Sequence, residues 1–514
     1  MNIAEQKQSL LAYSHFLNTS LEETMQQSLA ADTESAMLAL FKSVETSVPA
    51  YREFLAEHDI SPAQIQTREQ FNTLPLITKE NYIRPYSLEA RCRGGTLNNC
   101  DMLATSSGST GQPTAWPRSL ADELKIATRF EQIFHDSFQA DQKSTLAVIC
   151  FALGTWVGGL YTASCCRYLA QKGYRITVVT PGNNMQEILR VVQTLGHPFE
   201  QTVLLGYPPF IKDVIDTGIA SGVDWPQYDI KLVMAGEVFS EEWRDWMGDR
   251  LSPQQTETQQ AETQQTGTQQ KYYNSASLYG TADAGVLGNE TPLSIYIRRF
   301  LATKPEAAKE LFGESRLPTL VQYDPAACFF ESDGRQLILS INSSLPLLRY
   351  NIKDTGGLIS YADMLEFLAS HGCDPIAALG TNRGIRPLPF VYVFGRSDFT
   401  VSYFGANIYP ENIAVGLEQP DIRDWVTGKF VMQVVEDAER DRFLSIVVEL
   451  APTEQESAER TEQITESILA QLLRLNSEFA NYVSPNYQRP RVALAKMGDP
   501  NYFPVGVKHR YTRR

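Results

Sequence analysis

The segment over residues 105–114 has a composition suited to holding a polyphosphate. It reads Thr-Ser-Ser-Gly-Ser-Thr-Gly-Gln-Pro-Thr, so hydroxyl groups and unhindered backbone N–H groups alternate over a short distance. Donors of this kind on a glycine-rich backbone can close around phosphate oxygens. The GxxxxGK[ST] spacing of a Walker loop is absent. Taken alone, the segment is equally compatible with a solvated Ser/Gly turn.

Two later segments carry groups that could serve the rest of a nucleotide. In residues 278–283 an apolar run leads to Tyr279, which could stack on a base, while Thr281 and Asp283 could serve a phosphate and a magnesium ion. In residues 349–356, Asp354 follows an apolar stretch and precedes glycines, where a carboxylate could accept hydrogen bonds from ribose hydroxyls. Each segment alone could be an ordinary turn after a core strand.

The last two candidate segments lie towards the end of the chain. Residues 394–398 read Phe-Gly-Arg-Ser-Asp, and Arg396 there could reach a phosphate or a ribose. Lys508 lies in the tail segment Pro-Val-Gly-Val-Lys-His-Arg, residues 504–510. A charged interdomain turn and a solvated lysine are the alternatives.

The elements that must position these residues follow a βαβ pattern. Residues 1 to about 90 have amphipathic helical spacing. From residue 144, short apolar runs alternate with helical patterns: strands over 145–150, 174–179, 202–205 and 230–234, and helices over 158–171 and 185–195. This alternation predicts an α/β fold with a parallel sheet.

Length and composition predict two domains. A chain of 514 residues is too long for one ordinary core. Residues 253–270 repeat Thr, Gln and Glu with almost no apolar residue, so we interpret them as a low-complexity surface insertion. Beyond the 394–398 segment, strand patterns over 429–435 and 442–448 precede a helical pattern over 462–475. We therefore predict a large domain over 1–394 and a small α+β domain over 395–514.

Charge and cysteine content favour a cytoplasmic protein with small-molecule partners. A net charge of −15 argues against nucleic-acid binding. The sequence shows no signal-peptide core, no membrane-spanning run and no CxxC pair among its seven cysteines. We expect neither nucleic acid nor membrane as a partner. The oligomeric state stays open, with a dimer as one possibility.

The five segments, in this order, resemble those of the adenylate-forming superfamily of acyl-CoA synthetases, peptide-synthetase adenylation domains and luciferases. Within it, the sequence looks most like phenylacetate-CoA ligases. The resemblance spans about residues 103–510, and its most specific parts read SSGSTGQPT and GRSDFTVSYFGANIYPENI. It implies a large domain of packed α/β subdomains plus a β region, and a small mobile α+β C-terminal domain.

The resemblance also implies a role for individual positions. The implied ATP-binding residues are Ser106, Ser107, Gly108, Ser109, Thr110 and Gly111 for the β- and γ-phosphates, Ala235, Gly236, Glu237, Tyr279 and Gly280 around the adenine, and Asp354 and Arg396 for the ribose and phosphate. Thr281 would contact the α-phosphate, and Asp283 would help to hold Mg²⁺. Asp398 would be a hinge. Lys508 would bridge the acid and the α-phosphate, with Lys496 as its reserve.

A further group of residues is assigned to the pocket that would hold the carboxylic acid. By position in the resemblance, Phe151, Trp156, Gly158 and Tyr207 would line it. An aromatic wall favours a flat aryl or a short acid over a long chain. Ordinary core packing explains these residues equally well.

The sequence departs from the superfamily pattern at several positions. Gln112 stands where many relatives have lysine, and Ala282 where a hydroxyl residue is usual. Asp283 replaces the usual glutamate, and Asn351 and Ile352 replace the usual residues before the ribose aspartate. Thr281 thus stands one position before the usual hydroxyl residue, and the shorter Asp283 side chain predicts metal contact through water.

The predicted function is ATP-dependent activation of a carboxylic acid to an acyl-adenylate, with release of pyrophosphate, and acyl transfer to a thiol such as CoA. The predicted cofactors are ATP, Mg²⁺ and CoA, or a carrier-protein phosphopantetheine. Loading of a carrier protein or amide formation is one alternative. A non-catalytic nucleotide-binding protein on the same fold is another. A kinase-like phosphotransferase, with ADP as product, is a weaker third.

Overall fold

The computed structural model describes residues 3–98, 100–105, 114–155, 157–252, 274–314, 316–380, 383–396, 400–404, 406–436, 442–476, 479–480, 483–504 and 509–512 of the chain. Its α-helices are α1 Ile3–Asn18, α2 Leu21–Ala30, α3 Thr33–Ser47, α4 Pro49–Glu57, α5 Arg68–Phe71, α6 Leu120–Gln132, α7 Val157–Gln171, α8 Met185–Leu195, α9 Pro208–Ala220, α10 Glu241–Leu251, α11 Pro292–Ala302, α12 Pro305–Phe312, α13 Tyr361–Ser370, α14 Pro375–Leu379, α15 Pro410–Leu417, α16 Ala458–Leu475 and α17 Pro485–Gln488.

The strands are β1 Met102–Thr105, β2 Ala115–Arg118, β3 Thr145–Ile149, β4 Ile176–Val179, β5 Gln201–Gly206, β6 Ile230–Ala235, β7 Ser275–Thr281, β8 Gly285–Asn289, β9 Thr319–Tyr323, β10 Cys328–Asp333, β11 Gln336–Ile341, β12 Leu347–Ile359, β13 Phe390–Arg396, β14 Val401–Tyr403, β15 Ala406–Ile408, β16 Val426–Glu436, β17 Arg442–Leu450 and β18 Arg491–Ala495.

Within the described residues, the main sheet has eleven strands in the order β10-β11-β12-β13-β9-β8-β7-β6-β5-β3-β4. Strands β7, β6, β5, β3 and β4 pair in parallel, and the strands on the other side of β7 pair antiparallel. The core parallel strands β3 and β5 are buried at every position, as expected for a sheet covered by helices on both faces. The predicted α/β fold class is confirmed.

Local sequence signals start the helices that cover this sheet. Ser119 and Asp122 form a reciprocal capping box at the start of α6, which satisfies two backbone donors that the helix would otherwise leave free. Pro208 stands at the first position of α9, where its fixed φ angle and missing N–H are compatible with a helix start.

The C-terminal strands form a separate small sheet with its own apolar core. Strands β16 and β17 pair antiparallel, and β17 and β18 pair parallel. Side chains from this sheet and from α15 and α16, including Ile413, Phe430, Ile446 and Ile468, form one buried cluster. The predicted small α+β part is therefore present, while the domain limits at 394 and 395 and the mobility of this part stay predictions.

Charged contacts join helix α9 of the large part to strand β16 of the small part. The Lys429 ammonium lies 2.7 Å from an Asp213 oxygen and 3.2 Å from a Glu449 oxygen. The Lys212 ammonium donates to the Val426 carbonyl oxygen at 2.8 Å. We call this set of residues the α9–β16 contact.

Among the helices that the structure describes, none combines the length and apolar character needed to span a bilayer.

Candidate active site

Several of the predicted site residues lie at one edge of the main sheet. Phe151 follows β3, Tyr207 follows β5 and Gly236 follows β6, each just past the carboxyl end of its strand. The register pairs Ala235 of β6 with Leu278 of β7, which places Gly236 beside Tyr279. In open parallel sheets, the carboxyl edge of the strands is the usual location of a ligand crevice.

The aromatic rings at this edge pack against glycine. Phe151 and Tyr207 meet edge to face, with ring centroids 5.1 Å apart. Gly236 has a φ of +92°, and a Cβ there would lie 2.6 Å from Cε1 of Tyr207, so a larger residue would displace the ring. A Cβ at Gly158 would be in ordinary contact with the Phe151 ring at 3.6 Å. The structure thus joins the predicted acid-pocket residues to the predicted adenine loop, while Trp156 lies outside the described residues.

Burial extends the pH range over which the Tyr207 phenol is uncharged. Desolvation, with the Glu237 carboxylate nearby, raises the pKa of Tyr207 to about 12. The side chain therefore presents an apolar ring and an uncharged hydroxyl at this edge near neutral pH.

A buried hydrogen bond links the predicted adenine and ribose residues. The Tyr279 hydroxyl donates to Oδ2 of Asp354 at 2.7 Å. Burial, together with the adjoining Asp354 carboxylate, raises the pKa of Tyr279 well above its ordinary value. In the register of β12 and β13, Asp354 is the direct Cα partner of Arg396. The structure therefore brings Tyr279, Asp354 and the backbone of Arg396 together.

The setting of Asp354 differs from the predicted one. The sequence suggested a carboxylate after an apolar strand, but Asp354 lies inside the 13-residue strand β12. Arg349 and Lys353, both in this strand, have positive φ angles of 48° and 71°. These local departures from extended backbone explain why the segment resembles a turn in sequence while it still pairs with β11 and β13.

Asp283 lies in a buried cluster that the sequence did not reveal. Its Oδ2 accepts a hydrogen bond from the Tyr350 hydroxyl at 2.6 Å and lies 3.1 Å from the Lys79 ammonium. Lys79 belongs to a single helical turn, Lys79–Ile83, in the N-terminal helical region. No local sequence signal distinguishes Lys79, because its contact depends on packing between distant parts of the chain.

This arrangement bears on the predicted magnesium site. Asp283 is only 2% exposed, and its Oδ2 already faces two donors. Within the described part of the chain, no group of three or more His, Cys, Asp or Glu residues could hold a metal ion. As arranged, Asp283 fits an ion pair and not direct metal ligation, so its role as a metal ligand stays a prediction.

The turn that carries Asp283 is also anchored to the strand leaving the Ser/Gly segment. Oγ1 of Thr281 accepts from the Ala284 N–H at 3.0 Å and closes the β7–β8 turn. The Arg118 guanidinium, on β2, donates to the carbonyl oxygens of Ala282 and Asp283 at 3.0 and 2.8 Å. The register of β1 and β2 pairs Thr105 with Ala115, so the residues that flank the intervening segment lie opposite each other.

The predicted phosphate-binding residues themselves, Ser106, Ser107, Gly108, Ser109, Thr110 and Gly111, lie outside the described residues, as do Asp398 and Lys508. For Arg396, only the backbone is described.

The end of the chain reaches the predicted adenine loop. The Tyr511 hydroxyl donates to Glu237, and burial together with that carboxylate raises the pKa of Tyr511 well above its ordinary value. Nε2 of His509 lies 2.6 Å from the Phe430 carbonyl oxygen. Desolvation lowers the pKa of His509 to about 4, so the ring is neutral and Nε2 carries the donated proton.

The tail beside Lys508 thus approaches the site, whereas Lys496 lies exposed just after β18.

Comparisons with known proteins establish the fold. No protein-family model matches the chain, and no curated protein matches it in sequence. Among solved structures, the chain is similar to 2-hydroxyisobutyryl-CoA ligase in its postadenylation state with R3-HIB-AMP, with a TM-score of 0.64 at 14% identity over 96% of this chain and 90% of that chain.

The same ligase was also matched in other complexes. Its postadenylation state with 2-HIB-AMP gives a TM-score of 0.59 at 14% identity, covering 97% of this chain and 89% of that chain. Its open conformation with 2-HIB-AMP and CoA gives 0.51 at 14% identity, covering 93% and 90%. The chain therefore has the fold of an acyl-CoA ligase that forms acyl-adenylates. The likeness to phenylacetate-CoA ligases within that fold stays a prediction.

Proposed function

We propose that this protein is an AMP-forming acid–thiol ligase, which activates a carboxylic acid as an acyl-adenylate and transfers the acyl group to CoA. Its main support is that Gly236, Tyr279 and Asp354 lie close together at the carboxyl edge of the sheet. The chain also has the ligase fold over nearly its whole length. These residues are the ones that the sequence assigns to the adenine and ribose of ATP.

In the first half-reaction, a carboxylate oxygen attacks the α-phosphorus, and the bond from that phosphorus to the β-phosphate bridging oxygen breaks. Two anions must approach each other, so cations and backbone donors have to offset the charge. We assign this task to Lys508 and to the 106–111 segment, with Thr281 at the α-phosphate and Arg396 near the ribose. A Mg²⁺ ion bound with ATP would neutralise phosphate charge.

In the second half-reaction, a thiolate attacks the acyl carbonyl carbon and AMP leaves with the bonding electron pair. Lys508 has no task in this step, and a rotation of residues 395–514 about Asp398 would withdraw it and admit the thiol. The two-domain division therefore belongs to this proposal.

The wall formed by Phe151 and Tyr207 supports a compact acid. Both rings face the carboxyl edge next to Gly236, and such a wall complements a flat aryl or a short acid. The solved ligase of the same fold carries a short hydroxy acid as its adenylate. We include in the proposal an aryl or short acid, as in phenylacetate-CoA ligases.

The Lys79–Asp283 pair keeps a non-catalytic alternative open. The Lys79 ammonium lies against the carboxylate that we assign to the metal. A protein that binds a nucleotide without catalysis would not need that carboxylate for a metal ion. The acceptor is a second open point, because a carrier-protein phosphopantetheine or an amine could replace CoA.

Acid-dependent exchange of pyrophosphate into ATP tests the function directly. The full-length protein is incubated with ATP, Mg²⁺, labelled pyrophosphate and a panel of aryl and short aliphatic acids. We expect exchange with one class of acid, followed by thioester formation when CoA is added and not with a carrier protein. ATP binding without exchange for every acid would instead support the non-catalytic scaffold.

A further inference from the structure

A cavity of about 50 Å³ lies behind the β7–β8 turn, on the side of β2 and α6. Three cationic side chains line it: Arg118 from β2, and Lys125 and Arg129 from α6. Two carboxylates, Asp122 and Asp324, also line it, so the lining residues carry one more positive than negative charge. Apolar side chains of α6, β8 and β11 complete the walls.

Two of these cations form no direct ion pair within the described residues. Arg118 donates to the carbonyl oxygens of Pro117, Ala282 and Asp283, and Lys125 to that of Asn342, and neither forms an ion pair with any residue that the structure describes. The carbonyl groups accept hydrogen bonds from these two side chains but do not neutralise their positive charge. Both therefore retain positive charge that a bound anion would neutralise.

Arg129 supplies an unused donor. Its Nη2 lies 3.3 Å from Oδ2 of Asp324, but its buried Nη1 has no hydrogen-bond partner within the described ranges. The side chain is 3% exposed, so an unmet guanidinium donor here is costly. Burial also lowers the pKa of Arg129.

The two carboxylates are already engaged. Oδ2 of Asp122 accepts from the backbone N–H and hydroxyl groups of Ser119 and Ser344, at 2.6 to 3.0 Å. Oδ2 of Asp324 accepts from the Ser28 hydroxyl at 2.9 Å as well as facing Arg129. With both carboxylates counted, the lining still carries one excess positive charge.

We propose that this cavity binds one small tetrahedral oxyanion of the phosphate class, held by Lys125, Arg129 and Arg118. A cavity of this size holds a few water molecules, which is comparable to one such ion and far too small for a nucleotide. Because Arg118 also donates to the carbonyl groups of Ala282 and Asp283, the ion would lie one side chain away from the turn of the candidate active site.

Titration calorimetry with inorganic phosphate, on the full-length protein at constant ionic strength and with sodium chloride as reference, tests this site. A non-hydrolysable ATP analogue is kept at saturation, so that phosphate cannot bind at the nucleotide site. We expect phosphate binding that chloride does not reproduce. Binding that disappears once the analogue is added would place the phosphate at the nucleotide site and overturn the proposal.

Two variants and a matched control locate the ion. Lys125→Gln removes one charge from an exposed position. Arg129→Lys keeps a cation for Asp324 but removes one of the two terminal guanidinium nitrogens. Each should weaken phosphate binding about tenfold, the loss expected for one charge-assisted hydrogen bond. Arg190→Gln removes an exposed arginine elsewhere and should leave the affinity unchanged. Unchanged affinity in Lys125→Gln, which is expected to fold normally, would overturn the proposal even if Arg129→Lys proved unstable.

Discussion

At the carboxyl edge of the main sheet, the buried Asp354 carboxylate accepts a hydrogen bond from the phenol of Tyr279, whereas at the α9–β16 contact the buried Asp213 carboxylate faces the ammonium of Lys429. A phenol carries no charge of its own, whereas an ammonium offsets the charge of the carboxylate that it faces. In our proposal the first carboxylate serves a ligand, whereas the second joins two parts of the chain.

Asp283 is intermediate between these two regions, since its Oδ2 faces both the Tyr350 phenol and the Lys79 ammonium. Removing a partner should lower stability in all three places, and should change ATP binding or activity only at Asp354 and Asp283. The predictions below test this separation.

The largest effect is expected for Lys508→Ala. If Lys508 offsets charge during adenylation, acid-dependent pyrophosphate exchange should fall by roughly 10³-fold. Thioester formation from supplied acyl-adenylate should stay largely intact. Lys496→Ala is the matched control and should retain exchange. Equal loss of both half-reactions, or none, would refute the assignment of this lysine.

The next largest effect is expected for Lys429→Met. It leaves the Asp213 and Glu449 carboxylates buried without their cation, which should lower the free energy of unfolding by about 3 kcal/mol. Urea denaturation monitored by circular dichroism measures this loss. Arg489→Gln breaks an exposed pair with Glu462 and Glu466 and should cost less than about 1 kcal/mol. Similar losses in the two variants would remove the distinction drawn for the α9–β16 contact.

A smaller effect is expected for Tyr279→Phe. The Asp354 carboxylate loses one donor, so stability should fall by about 2 kcal/mol. The KM for ATP should rise while kcat changes little, because Asp354 is assigned to bind the ribose in ground and transition states alike. Tyr350→Phe, which removes the matching donor from Asp283, is the comparison variant. A change in kcat alone for Tyr279→Phe would contradict this role.

The smallest effect is a pH dependence at the α9–β16 contact. Burial raises the pKa of Asp213 from its ordinary value of 3.8 to about 6, despite the nearby Lys429. The folded state then binds more protons than the unfolded state between about pH 4 and 6. The resulting contribution to stability is present below pH 4 and lost as the pH rises through 6, with a slope of at most about 1.4 kcal/mol per pH unit.

Unfolding free energies of the wild type and Asp213→Asn, measured across pH 4 to 7, isolate this contribution. The difference between the two proteins should change over this range and level off above it. A constant difference would show that Asp213 titrates in the folded protein as it does in the unfolded chain.

The sequence predicted the regular elements of the large sheet closely. The helix predicted over 185–195 is present as Met185–Leu195, and the strand predicted over 230–234 as Ile230–Ala235. The apolar periodicity of these segments determines which face is buried, and this periodicity is a local property of the sequence. The C-terminal strands predicted over 429–435 and 442–448 were found as Val426–Glu436 and Arg442–Leu450 for the same reason.

The polar contacts were not predictable in this way. Lys79 reaches Asp283, and Lys429 reaches Asp213, across long stretches of chain, and only the packing of distant elements selects these partners. Motif order placed Tyr279 and Asp354 in one site but gave no hint that they hydrogen-bond to each other. The assignments of Ser106 to Gly111, Asp398 and Lys508 stay predictions.

The direct pairing of Asp354 with Arg396 restricts how this sequence can evolve. Inserting or deleting one residue between Phe390 and Arg396 would take the backbone of Arg396 out of register with Asp354. Length changes in that stretch should therefore be selected against more strongly than substitutions. Homologues should preserve the spacing even where they no longer preserve the residues.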